Sequence, residues 1–355
     1  MRQRRFVRFG FGLTTAVLGL VLAATPTLAC GGLIGPNGAV NLLRTTTLAG
    51  YHDGVEHYVT AFQFAGGGGA FGSITPLPGI PTSVVKGGDW TLQRLIRETE
   101  PLRLEAVPAA AAASDTASAV ELMKVKIDAL DITVLKGGAA DIGTWAKDHG
   151  FRLPPDAPEV LDFYAARSQI FLAAAFDADA AKGRGQQIGD GTPVHITIPT
   201  ANPWVPLRIL ALGKTAQESV QADVYLLTDR APALLPAPNG RNGIRLDHSA
   251  AATNSLLTDL RTDRGMDWVP SAGWLTKVAV DATAGQLGYD LAIDASGAGR
   301  PSAVDAGFTM PGAVVPPAQP DLSRLLLALA FVGLGLLGVG MIGRARPSAG
   351  RPIGW

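Results

Sequence analysis

Residues 325–342, LLLALAFVGLGLLGVGMI, consist only of apolar residues and glycine, without a single charge. As an α-helix this run would extend about 27 Å, the thickness of a bilayer's hydrocarbon core. The proline-rich PGAVVPPAQP before it and Arg344, Arg346 and Arg351 after it favour a membrane span over a core helix, with the arginines on the cytoplasmic side. The sequence therefore predicts a transmembrane helix over 322–343, a proline-rich stalk over 311–321 and a short basic tail over 344–355. No two glycines of the run stand four apart, so the close-packing dimer pattern is missing.

The other end carries the three parts of an export signal. Arg2, Arg4, Arg5 and Arg8 are followed by an apolar stretch from Leu13 to Ala24 and by small residues at Thr27 and Ala29. Residues 1–29 read as a signal peptide, and cleavage after Ala29 makes Cys30 the mature N-terminus. A lipidated Cys30 would need Leu, Val or Ile where Thr27 stands, so plain cleavage is the simpler reading. Arg4 and Arg5 also permit twin-arginine export, but an ordinary basic start accounts for them. Together the two ends predict a single-pass cell-membrane protein with residues 30–310 outside the cytoplasm.

Charge separates sharply along this division. All 30 acidic residues lie between Cys30 and Ser323, whereas only 22 of the 30 basic residues do, leaving that stretch at a net charge of −8. Such a surface repels polyanions and argues against nucleic acid as a partner. One cysteine in the chain excludes an intramolecular disulfide, so the exported part must be stabilised by burial.

Pattern along residues 30–310 predicts an α+β fold, mostly antiparallel sheet with several short helices. VEHYVTAFQF and AFGSITPLPGIP read as two strands joined by AGGGG. Trp90 to Thr99 reads as a helix with Asp89 as its N-cap, and an alanine-rich linker over 107–119 marks a break between two lobes. Further on, VKIDALDITVLKG is expected as one strand, ADIGTWAKDHG and PEVLDFYAARS as helices, and QIFLAAAFDA as a strand. VHITIP, LRILALG, ADVYLLTD, TKVAVDA and YDLAID complete the strands, and TNSLLTDLRTDRGM supplies a helix.

Several patterns suggest chemistry, each with a plainer account beside it. Gly67, Gly69 and Gly72 form GxGxxG, but the prolines that follow exclude the helix a pyrophosphate needs, leaving a flexible hairpin connection. Ser83 and Lys86 form SxxK, yet Gly87 and Gly88 cut short the helix that would place them one turn apart. His52, Asp53, Glu56 and His57 make the densest group of metal-ligating side chains; His52 and His57 are the metal candidates, against a polar turn opening a strand. Asp259, Asp263 and Asp267 recur at helical spacing and read as an exposed face paired with Arg261 and Arg264. Trp204, Trp268 and Trp274, read as beside prolines, offer an aromatic platform for glycan or peptide. Nothing calls for a cofactor, and no catalytic residue is assigned.

Cys30-Gly31-Gly32, AFGSITPLPGIPT, GTWAKDHGFRLP, ANPWVPLRIL, VYLLTDRAP and DLRTDRGMDWVP, in this order, resemble the bacterial domain-of-unknown-function family 2330 in its actinobacterial form. The resemblance implies an exported or membrane-tethered protein and carries no activity. The sequence thus favours a non-enzymatic module that binds or organises an envelope protein, peptide or glycan. An envelope hydrolase and a subunit of a membrane complex are the alternatives.

Overall fold

Tyr58 and Val59, neighbours on the strand Val55–Gln63, face two separate apolar cores. Tyr58 packs with residues such as Ile74, Phe171 and Ile196, whereas Val59 packs with Leu92, Leu95, Leu256, Leu257 and Leu260. A strand buried on both faces must lie inside its sheet, and this one does.

The computed structural model describes residues 27–28, 32–35, 38–39, 44–63, 71–100, 120–177, 180, 183–184, 191–308 and 354. The early strands are β1 (Thr27–Leu28), β2 (Gly32–Gly35), β3 (Gly38–Ala39), β4 (Arg44–His52), β5 (Val55–Gln63), β6 (Phe71–Leu77) and β7 (Ser83–Lys86). Helix α1 (Thr91–Thr99) leads to β8 (Val120–Ile127) and β9 (Leu130–Lys136), then α2 (Ala139–Asp148) and α3 (Ala157–Ala165). Next come β10 (Ile170–Phe176), β11 (Gly191–Pro199), β12 (Trp204–Val205), β13 (Ser219–Thr228), β14 (Ala233–Leu235) and β15 (Ile244–Ala251). Helix α4 (Asn254–Thr262), β16 (Trp274–Thr283) and β17 (Leu291–Asp294) follow.

Three sheets result. The largest runs β15-β16-β13-β4-β5-β11-β7, with β1 alongside β4; the second runs β3-β2-β6-β10-β9-β8, and the smallest β12-β17-β14. Only β4 with β13 and β4 with β1 pair in parallel among the described strands, so the α+β, mostly antiparallel expectation holds. Helices α1 and α4 cover one face of the large sheet through Leu92, Leu95, Leu256, Leu257 and Leu260. Its other face shares a core with the second sheet and with α2 and α3, through Ile142, Trp145, Leu161 and Tyr164.

Helix α1 is capped from a distance. Trp90 is its N-cap residue and supplies no side-chain bond; Asp89, the expected cap, supplies none either. Instead the Asp263 carboxylate accepts from the Asp89 and Trp90 amides at 3.0 and 3.1 Å and from Thr91 Oγ1 at 2.7 Å. A negative charge at a helix N-terminus is stabilising. Gly88 makes room for it, since a Cβ there would come within 2.1 Å of Asp263 Oδ2.

Three local expectations are corrected. β5 and β6 are not hairpin partners: β5 pairs with β4 and β11, β6 with β2 and β10, so the intervening glycines join two sheets. VKIDALDITVLKG is a hairpin, with Ile127 opposite Leu130 and Asp128 at φ 52 making a two-residue turn without glycine. LRILALG contains a 3-10 turn at Arg208–Ala211, because its amides go to side chains: Leu207 and Arg208 donate to Asp290 Oδ1, and Ile209 to the Tyr164 hydroxyl.

The signal peptide apart from the backbone of 27–28, Cys30, the 107–119 linker, the stalk and the 322–343 span all lie outside the described residues. Among the described residues no helix is long and apolar enough to cross a membrane. Residues 1–311 form one compact unit and 312–355 another.

Candidate functional site

Asp53 and Gly54 close the β4–β5 hairpin at φ 48 and 78, the two positive values that a two-residue turn of matching twist requires. Strands β4, β11 and β13 all end at this edge, with Tyr51 opposite Thr228 and Val55 opposite Pro199. A cleft of about 390 Å³ opens there. Its lining comes from the turn (Tyr51, Asp53, Gly54), the segment after β11 (Ala201 to Pro203), the end of β13 (Asp229, Arg230) and the β17 loop from Ile293 to Ser302.

Hydrogen bonds fix these walls to the sheet. Tyr51 donates its hydroxyl to the Thr200 carbonyl at 2.9 Å, and the Thr200 amide returns to Gly54 at 3.1 Å. Asp229 Oδ1 lies 2.7 Å from His52 Nδ1. The β17 loop folds on one carboxylate: Asp294 accepts from the Ser296 amide at 2.8 Å, the Ser296 hydroxyl at 2.5 Å and the Arg300 amide at 2.7 Å. These donors hold the Asp294 carboxyl below its ordinary range, the Ser296 hydroxyl most strongly. Gly297 and Gly299 turn this loop at φ 82 and 69, and the absent Gly297 side chain leaves space for Arg230, whose Cδ a Cβ would approach to 3.0 Å.

On the opposite face of the same strands, two histidines and a tryptophan meet. His57 of β5 sits beside Gly50 of β4, where the missing side chain lets the Trp268 indole lie against the sheet. His57 stacks on that indole at 4.0 Å with an interplanar angle of 3°, and its Nδ1 lies 3.0 Å from His195 Nε2. One of the two nitrogens donates, so at least one ring is neutral at that atom. Burial lowers the His57 pKa to about 3, helped by the neighbouring His195 and His52 and opposed by Asp267. Burial likewise lowers His195 to about 4 against Asp267. Next along β5, Glu56 is fully buried, and burial pushes its carboxyl up to about 8 against a weak pull from the Trp204 amide. Among the described residues neither Glu56 oxygen makes a hydrogen bond of good geometry, nor do His195 Nδ1 and Trp268 Nε1.

The HDGVEH group is therefore dispersed by the strand period. Asp53 lines the cleft, His52 braces Asp229, Glu56 enters the core and His57 pairs with His195. Among the described residues no three His, Cys, Asp or Glu side chains converge as metal ligands. Ser83 and Lys86 lie on β7, where residues three apart face opposite ways, and Lys86 pairs with Asp128 at 2.7 Å. Asp259 binds Arg94 at 2.8 Å rather than Arg261 or Arg264, and α4 ends before Asp263, whose carboxylate caps α1. The three tryptophans form no shared platform: Trp204 is buried in the core against Tyr164, Trp268 stacks on His57, and Trp274 donates to Ser249 at 2.9 Å. Gly67 and Gly69 lie outside the described residues, and Gly72 belongs to β6. Sequence reading missed the parts played by His195, a lone histidine on β11, and by Asp229, Arg230 and Arg300; the turn signals Asp229-Arg230 after β13 and ASGAGR after β17 are the trace the last three leave.

Residues 25–236 match the family described as an uncharacterized protein conserved in bacteria, DUF2330. The chain belongs to DUF2330. The DUF2330 span holds the β4–β5 turn, His195, Asn202, Asp229 and Arg230, whereas the β17 loop and Trp268 lie beyond it. No curated protein matches the chain. Among solved structures the DUF2330 chain is similar to baculovirus P35: a mutated form after caspase cleavage (8% identity, 72% of this chain and 98% of that one, TM-score 0.36). The caspase-8/P35 complex gives 10% identity, 71% and 96% coverage and a TM-score of 0.37, and P35 itself gives 10%, 71%, 96% and 0.36. Superposition at that level carries no argument.

Proposed function

We propose that this DUF2330 protein is a non-enzymatic binding module of the cell envelope, exported by residues 1–29 and held at the membrane by the span over 322–343. Its ligand is an envelope component, and the cleft at the β4–β5 turn is where it binds. The observation that carries this reading is the cleft itself, a polar hollow of about 390 Å³ whose walls are stapled to a rigid sheet. Preformed concavities with a few fixed polar groups are where small ligands bind. The −8 charge of residues 30–323 and the export signal support an extracytoplasmic partner other than nucleic acid.

The His52–Asp229 contact favours a second reading, an envelope hydrolase in which Asp229 orients His52 as a general base. Against it, His52 Nε2 faces Asp53 at 3.4 Å, and among the described residues no serine or threonine hydroxyl bonds to His52. A subunit of a membrane complex remains compatible with the same anchor. The test is binding of labelled envelope saccharide and peptide fragments to the full chain in nanodiscs, scored for both retention and cleavage. Retention without cleavage supports the module; cleavage abolished by His52→Ala supports the hydrolase.

A further inference from the structure

The cleft holds five charged side chains whose hydrogen-bonding capacity is unequally spent. Asp294 is consumed by three donors of its own loop, and Asp229 is engaged by His52. Arg230 and Arg300 line the same hollow, both exposed, and among the described residues neither side chain makes a hydrogen bond or an ion pair. Arginine carries five N–H donors in a flat fork that matches a carboxylate or a phosphate two bonds at a time. Arg94, Arg167 and Arg245 pair with carboxylates, whereas these two forks, at one hollow, are unspent anion-binding capacity.

The geometry points to an anionic group as the anchor of the ligand: we infer that Arg230 and Arg300 together grip a carboxylate or phosphate carried by a small hydrophilic molecule or chain end. This rests on the proposal that the cleft is the binding site, and adds the charge class of what enters it. The structure supplies the positioning as well. The Arg230 side chain, from the end of β13, packs against the bare backbone of Gly297, and the Arg300 amide is tied to Asp294 at 2.7 Å in a loop closed by its own bonds. Asp53, a largely exposed residue of the same lining, repels a second negative charge and accepts from hydroxyl or ammonium groups. A ligand with one acidic end and donors elsewhere fits; a polyanion is opposed by the acidic surface around it.

Calorimetric titration of the full chain in detergent tests this with four probes: glucose 1-phosphate, glucuronate, glucose and inorganic phosphate. The expected result is binding of one or both anionic sugars and none of glucose, weakening with added salt. Glucose 1-phosphate alone would mark phosphate as the source, glucuronate alone carboxylate, and inorganic phosphate as strong as either sugar would place the recognition in the anion itself. Replacing one arginine, as Arg230→Gln or Arg300→Gln, should weaken binding about tenfold, the usual loss for a charge-assisted hydrogen bond. The unfolding midpoint of each variant should match the parent, because both side chains are exposed. Equal binding of glucose, no binding of any anion, or variants that bind as the parent does would overturn the assignment. Envelope fragments that protect the cleft while ignoring both arginine substitutions would sink the anion alone and leave the cleft as a binding site.

Discussion

His57 Nδ1 and His195 Nε2 meet at 3.0 Å across neighbouring antiparallel strands, under a tryptophan that the bare backbone of Gly50 admits. Each ring is held neutral by burial, at about 3 and about 4 against an ordinary 6.5. The unfolded chain therefore takes up protons that the fold refuses as pH falls below 6.5. Stability contributed by the pair is fully present above that value and is lost toward pH 4 and below, by up to about 1.4 kcal/mol per histidine per pH unit. Urea unfolding of the parent and of His57→Gln/His195→Gln between pH 4 and 7 checks this. The parent should lose stability toward acid more steeply than the double variant; parallel profiles would contradict the buried, neutral pair.

Glu56 works in the opposite sense. Its carboxyl is pushed up to about 8 from an ordinary 4.5, so the fold holds a proton that the unfolded chain releases. Stability falls as pH rises from 4.5 to 8, by about 3 kcal/mol at pH 7. Glu56→Gln removes that dependence: its stability relative to the parent should climb across this range, and a constant difference would count against it.

The slot at Gly50 is specific to the indole above it. A Cβ there would come 2.0 Å from Trp268 Cη2, so Gly50→Ala should lift the ring off His57 and cost about 1–3 kcal/mol. In a Trp268→Ala background the same substitution should be nearly neutral. Denaturation midpoints for the four proteins of this cycle measure the coupling.

Arg167 and Asp290 form a pair with no exposed side-chain surface, joined at 2.6 Å and shared with the Tyr164 hydroxyl and the Leu207 and Arg208 amides. Arg167 also lies over the rings of Phe163, Tyr164 and Trp204. Asp290→Ala leaves a buried guanidinium uncompensated and should cost about 3–5 kcal/mol. A loss below about 1 kcal/mol in chemical denaturation would show that the network is not holding α3 to β17.

Local pattern made the strand and helix content legible, because period-two and helical spacings survive in single segments such as VEHYVTAFQ and LQRLI. Pairing was not legible. Nothing in β5 or β6 tells that the glycines between them cross from one sheet to another, and β4, rich in threonine, was overlooked although the Asp53-Gly54 turn announces the hairpin it forms with β5. The site was harder still. HDGVEH looked like one constellation because its residues are adjacent in sequence, but strand alternation sends them to different faces. The arginines of the cleft come from loops about 70 residues apart, which follow β13 of the large sheet and β17 of the small one and line a single hollow.

The central claim, that the cleft at the β4–β5 turn receives an envelope ligand, is tested most directly by hydrogen exchange on the full chain in nanodiscs, with and without a retained envelope fragment. Protection should appear at 51–54, 201–203, 229–230 and 293–302 and leave the His57–His195–Trp268 stack unchanged. Protection confined to other surfaces, with these four segments exchanging as in the free protein, would contradict it.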